Sequence, residues 1–185
     1  MNSSLLVMLG IVVLLVFIVI GIYNGLVRLK NQVKNSWAQV SVQLKRRHDL
    51  IPNLLETVKG YMEHEKSTLE NVVKLRQQAI NITGDTASLA KIENQLSSTL
   101  KSLFAVAENY PDLKANQNFL ALQEELASTE NKISFARQNY NDSVMTYNTK
   151  IEVFPDCIIA GMFNFTKSDF FEIEEEDKEV PQVKF

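Results

Sequence analysis

The chain has 185 residues and a formal net charge of -3; setting aside an apolar N-terminal stretch leaves about 160, the size of one ordinary domain. Its single cysteine, Cys157, excludes an intramolecular disulfide and argues against a thiolate metal cluster. Four prolines and six glycines suit long helices and argue against a turn-rich β-sandwich or barrel. From Lys167 onward there are seven acids against three bases, so the acidity belongs to the tail, and the rest of the chain is close to neutral.

Residues 5–22 are eighteen apolar or glycine positions without a charge. As a helix they span about 27 Å, close to the hydrocarbon thickness of a bilayer. The stretch predicts a membrane anchor running from Leu5 through Leu14 and Phe17 to Ile22, with Tyr23 at the interface, where an amphipathic ring is favoured. A cleaved signal peptide would have a basic n-region and small residues before the cut, whereas Met-Asn-Ser-Ser opens this chain and no Ala-x-Ala follows. A buried core helix is disfavoured by the absence of polar residues on any face. Arg28, Lys30 and Lys34 follow the stretch and no base precedes it, which places the N-terminus outside and the helical part in the cytoplasm.

Val33, Trp37, Val40 and Leu44 continue with helical spacing. Pro52 is expected to kink or end that helix, because its ring and missing N–H disturb the ladder. Leu55, Val58, Met62, Leu69, Val72, Arg76 and Ile80 resume the stripe, with Glu65 as an imperfection, and Thr83-Gly84-Asp85 is a turn signal. A third helix runs from about Thr86 to Asn109 with Leu89, Ile92, Leu96, Leu103 and Val106 on one face. It ends at Tyr110-Pro111-Asp112, since the residue before a proline avoids the helical region. The fourth is the most regular: Phe119, Leu122, Leu126, Thr129, Ile133, Ala136 and Tyr140 alternate steps of three and four, and Val144, Tyr147 and Ile151 extend the seam to Phe154-Pro155. The fold expected is all-α: a transmembrane helix continuing into an antiparallel up-and-down four-helix bundle, or, if Pro52 only kinks, three long helices. The divisions read from this pass are a short N-terminus over 1–4, the anchor over 5–22, the bundle over 23–155 and an aromatic then acidic segment over 156–185.

Several runs are recognisable together: Tyr23-Asn24-Gly25-Leu26-Val27, Ser36-Trp37-Ala38-Gln39-Val40, the stretch Gln43 to Leu54 (QLKRRHDLIPNL), Tyr61 to Leu69 (YMEHEKSTL), Ala105 to Asn116 (AVAENYPDLKAN), Glu125 to Arg137 (ELASTENKISFAR), Tyr140-Asn141, Tyr147-Asn148 and Phe154-Pro155. Over about 20–185 the chain resembles the LemA family of bacterial membrane proteins. The resemblance implies an N-terminal transmembrane helix, a short N-terminus outside and a helical bundle, and brings no established activity, substrate or cofactor. One departure is that the family's tail often has a glycine between two phenylalanines where this chain has Asn164, between Phe163 and Phe165. That puts a tight glycine turn there in doubt.

Arg47-His48-Asp49 has no positioned nucleophile beside it, and reads as a helix surface whose cations serve headgroups or bundle acids. In Glu63-His64-Glu65 adjacent side chains point apart, which does not suit a metal site. No phosphate loop is present, and bases interspersed with acids give nucleic-acid binding no support. No cofactor and no catalytic or metal residue is expected. The candidate interaction residues are Glu130 and Arg137, seven apart on one helix face, as a polar cluster setting packing register or a subunit contact. To these are added Phe163, Phe165, Phe170 and Phe171, which either cap the core or form an apolar surface for a partner or for lipid; if they are exposed, the acidic tail, repelled by anionic headgroups, favours a protein partner or a second subunit. The function expected is a membrane-anchored scaffold or interaction protein without catalysis, a homo-oligomer at the lipid bilayer of the bacterial cell. The alternative is an accessory subunit of a membrane enzyme such as a stress-linked protease, with a membrane protein as its partner.

Overall fold

The computed structural model describes residues 3–62, 64–82 and 84–171, and for Leu5 its helical backbone alone. Glu63 and the acids from Glu172 to Asp177 lie outside the described residues. Those described are all-helical: α1 (Ser3–Lys59), α2 (Lys66–Asn81), α3 (Thr86–Ala107), α4 (Pro111–Lys114), α5 (Gln117–Glu152) and α6 (Asp156–Met162). The contacts form two units, Met1–Ala38 with Asn139–Asp169 and Gln39–Gln138 with Phe170–Phe185; α1 and α5 contribute residues to both.

The second unit is an up-and-down four-helix bundle of α1 beyond Ala38, α2, α3 and α5 up to Gln138. Ile51, Leu54 and Val58 from α1 pack with Val72 and Leu75 from α2, Leu96, Leu100 and Leu103 from α3, and Phe119 and Leu126 from α5. Leu113 of the short α4 closes one end of that cluster. The turn before α3 is built as its residues suggest: Gly84 takes a positive φ of 81°, and the Asp85 carboxylate caps the helix by accepting from Ser88 N at 3.0 Å. Asn116 caps α5 in the same way, accepting from Asn118 N at 2.9 Å and Phe119 N at 3.2 Å.

Pro52 neither ends α1 nor separates two bundle helices; α1 runs through it to Lys59, and the break comes at 60–65. The physical reason is on α2. Proline at 52 has no N–H to give the carbonyl of His48, and the Arg76 guanidinium supplies the missing bond, Nε to His48 O at 2.8 Å. Arg76 therefore does not sit on the apolar stripe as expected. The buried face of α2 is Val72, Leu75 and Ala79, while Ile80 is exposed. On α3 the buried set is Ala90, Glu93, Leu96, Leu100, Leu103 and Ala107, with Leu89, Ile92 and Val106 only half-buried. The α5 seam is largely as read: Phe119, Leu126, Thr129, Ile133, Tyr140, Val144, Tyr147 and Ile151 are buried, while Leu122 and Ala136 are only half-buried.

In the first unit α1 carries a stretch long and apolar enough to cross a membrane, none of it buried against protein. Leu14 and Phe17 are exposed on it, Ile22 is half-buried and Tyr23 marks its end. Beyond it α1 and the end of α5 pair antiparallel, with Ser36 Oγ 2.9 Å from Ser143 Oγ and the rings of Trp37 and Tyr140 5.2 Å apart. After α6 the chain runs back along α5 as an extended segment held by its backbone. Tyr147 Oη donates to Thr166 O at 2.9 Å, Tyr140 Oη to Asp169 O at 2.8 Å, and the Asn148 amide both donates to Ser168 O and accepts from Ser168 N, each at 2.9 Å. Burial pushes both phenols up in pKa.

The turn after α6 needs a left-handed residue, and Asn164 provides it with φ 55°. Phe165 N donates to Ala160 O at 2.9 Å and Asn164 N to Gly161 O at 3.4 Å, the bond pair of a Schellman motif. The glycine-type turn is thus present without glycine, because asparagine tolerates this region better than other side chains. Asn164→Gly is expected to leave stability within a few tenths of a kcal/mol, and Asn164→Val to lower it by about 1–2 kcal/mol; urea titration of the two variants followed by circular dichroism checks the difference.

Candidate functional site

The most charged place inside the bundle is centred on residues outside the candidate set, Arg47 and Glu93. Arg47 follows Val40 and Leu44 at seam spacing and is only 1% exposed; Glu93, on the α3 face that meets it, is also 1% exposed. Arg47 Nη2 pairs with Glu93 Oε2, Nη1 donates to Glu130 Oε2 at 2.7 Å and to Ser97 Oγ at 2.5 Å. Ser97 Oγ in turn donates to Glu130 Oε1 at 2.7 Å. His48, also buried, brings Nε2 to 2.9 Å from the other Glu93 oxygen, Oε1.

Burial alone would raise the Glu93 carboxyl. The hydrogen bond from His48 and the charge of Arg47 outweigh it and hold the group below its ordinary 4.5. Arg137 stands at the edge of the same cluster, with Nη1 donating to Asn94 Oδ1 at 2.8 Å and its guanidinium 4.6 Å over the Phe171 ring. Burial and then the like charge of Arg47 pull Arg137 below its usual range, against the opposing pull of Glu130 and Glu93. Two arginines and two glutamates thus balance in charge, and the His48 ring packs against the glutamate at the centre.

Each sequence candidate can now be placed. Glu130 and Arg137, both half-buried, stand at the edge of this cluster, Glu130 through Arg47 and Arg137 through Asn94. Phe171 is buried under Arg137, and Phe170 is exposed. Phe163 and Phe165 lie in the other unit beside the anchor, their ring centroids 4.8 Å and 5.8 Å from that of Tyr23, with Lys30 Nζ 5.6 Å over Phe165. Residues 156–171 accordingly divide, with Ile159, Ala160 and Phe171 buried and Ile158, Met162 and Phe163 open.

Glu93 and Ser97 went unread, and Arg47 and His48, read as helix surface, are buried, with Arg47 serving the bundle acids Glu93 and Glu130. A signal existed: Val40, Leu44, Arg47, Ile51, Leu54 and Val58 step by four, three, four, three and four, which sets Arg47 in the seam whatever its charge. Glu130 also edges a cavity of about 290 Å³ with Arg47, Ser97, Lys101 and Asn131. His64 is exposed and Cys157 is half-buried on α6. Among the described residues no three His, Cys, Asp or Glu side chains gather in a way that could hold a metal ion.

The LemA family profile matches residues 36–185, most of the chain and all of this cluster. The chain belongs to the LemA family. It is 28% identical over 171 residues to Protein LemA of Metamycoplasma hominis, covering 91% of this chain and 78% of that one. It is also similar to Magnetosome protein MamQ 2 of Paramagnetospirillum magneticum, 21% identical over 175 residues, and to Magnetosome protein MamQ of Magnetospirillum gryphiswaldense, 20% identical over 174. The chain spans 64% of the length of each of these two magnetosome proteins. Family and candidate span together describe a membrane-associated helical protein.

Proposed function

We propose that this LemA-family chain is a membrane-anchored scaffold that associates with further copies of itself through the outer face of its bundle. The observation that carries the reading is an inversion of the usual arrangement. Arg47 and Glu93 are inside and paired with one another, whereas Phe135, on the solvent face of α5, is 73% exposed. A buried ionic cluster of this kind is best attested as a device that fixes helix register and partner choice. Held in two dimensions by an anchor, copies meet at high effective concentration, so a small apolar contact is enough for association. The orientation follows from Arg28, Lys30 and Lys34 behind the span: N-terminus outside, bundle in the cytoplasm of a bacterial cell.

A photoreactive side chain at Phe135 in the full-length protein, irradiated in native membranes, is expected to yield cross-linked homodimers, and Phe135→Ser is expected to reduce dimers in detergent. A strictly monomeric protein with no cross-linked neighbour would overturn the proposal. Cross-links solely to a membrane enzyme would instead favour an accessory subunit.

A further inference from the structure

We infer that α6 and the residues flanking it form a second membrane contact, a short foot seated in the lipid interface where α1 leaves the bilayer; this rests on the anchoring read above. Phe154, Ile158, Met162 and Phe163 are exposed by 79%, 53%, 68% and 50%. Ile158 and Met162 lie four apart on one face of α6, Phe154 precedes them by four, and the opposite face buries Asp156, Ile159 and Ala160. Large apolar side chains gathered on one side of a helix mark a binding surface rather than ordinary surface scatter.

The occupant follows from depth. Tyr23 stands directly after the last apolar residue of the span, and its ring touches that of Phe163. The antiparallel pairing at Ser36 and Ser143 gives the same level independently. Both helices rise about 1.5 Å per residue, so eleven residues beyond Ser143 the chain at Phe154 is about level with Gly25. The open apolar face therefore lies at the height where the span passes from hydrocarbon to headgroups, the layer in which amphipathic helices bury their apolar side by several ångströms. Charges nearby suit that layer. Asp156 is paired with Lys150 at 3.0 Å and Glu152 with Lys167, so these two acids do not stand alone against phosphates. Lys30 over Phe165 is a cation beside an aromatic ring at headgroup level. The partner is thus lipid itself, and apolar burial should suffice in bilayers without anionic lipid.

The test uses the full-length chain carrying Cys157→Ser, reconstituted in phosphatidylcholine vesicles, with an environment-sensitive fluorophore on one introduced cysteine: Ile158→Cys on the foot, Val16→Cys in the span, or Glu56→Cys on the exposed face of the bundle. The Ile158→Cys label is expected to emit to the blue of the Glu56→Cys label, to be quenched by lipids bearing a shallow nitroxide, and to be shielded from aqueous iodide. Adding Phe154→Ser and Met162→Ser should cut the nitroxide quenching at 158 several-fold while leaving that at 16 unchanged. If the 158 label responds to iodide like the 56 label while the 16 label is quenched by lipid, the foot is overturned and the anchor stands. If the 158 label is shielded from iodide and nitroxide alike, protein covers α6 and the lipid assignment is wrong. If the 16 label also escapes the nitroxide, anchoring and foot fall together.

Discussion

Arg47→Met alone is expected to destabilise the bundle by about 3–5 kcal/mol, the usual cost of removing one partner from a buried charge pair. It would leave the Glu93 carboxylate in the core with only the His48 ring beside it, and would take from Glu130 the guanidinium it shares with Ser97. Arg47→Met combined with Glu93→Leu should recover most of that loss, because the penalty comes from a stranded charge and not from the absence of a pair. Urea titration of the full chain in detergent, followed by helix signal, separates the two outcomes. A double variant no more stable than the single one would show that the packing of the guanidinium, not its charge, is what matters.

The same pair fixes the sign of the acid response. Glu93 is held below its ordinary 4.5 in the folded state, so between the two titrations the unfolded chain binds more protons and stability rises with pH. Its contribution is fully present above 4.5 and is lost as pH falls through the lower, folded value. The double variant lacks that component, so its stability should fall less steeply below 4.5 than that of the native chain.

Arg76→Met should cost about 1.5–3 kcal/mol, the range for a hydrogen bond with a charged donor. The carbonyl it abandons, that of His48, has no N–H at position 52 to turn to. Pro52→Ala restores that N–H, and in its background Arg76→Met should cost far less. A double-mutant cycle on these two residues, read by the same denaturation, therefore predicts a large coupling between a proline on one helix and an arginine on the next. Additive effects would mean that α1 tolerates Pro52 for some other reason.

Arg76 also explains where the sequence was legible. The α5 seam from Phe119 to Ile151 could be read along most of its length because its steps of three and four are regular. The anchor was equally plain. The extent of α1 was not, since local rules see that Pro52 breaks a ladder and cannot see that a side chain twenty-four residues away repairs it. Arg47 and Glu93 were hidden differently. Their spacing places both in the core, but a charge reads as surface until its counter-charge is known to lie opposite, and that depends on how the helices pair. Glu130 and Arg137 were noticed because they interrupt a clean heptad, though their partners Arg47 and Asn94 come from other helices. The turn at Asn164 was doubted for want of a glycine, when the backbone asked only for a residue that accepts a positive φ.

The extended segment after α6 is gripped at Thr166, Ser168 and Asp169 through main-chain atoms, by Tyr140, Tyr147 and Asn148 of α5. Recognition of this kind does not inspect the side chains it holds. Apart from Lys167, which pairs with Glu152, residues 166–169 are thus free to drift in composition, so long as residue 168 keeps an N–H to donate. The three gripping residues on α5 have no such licence.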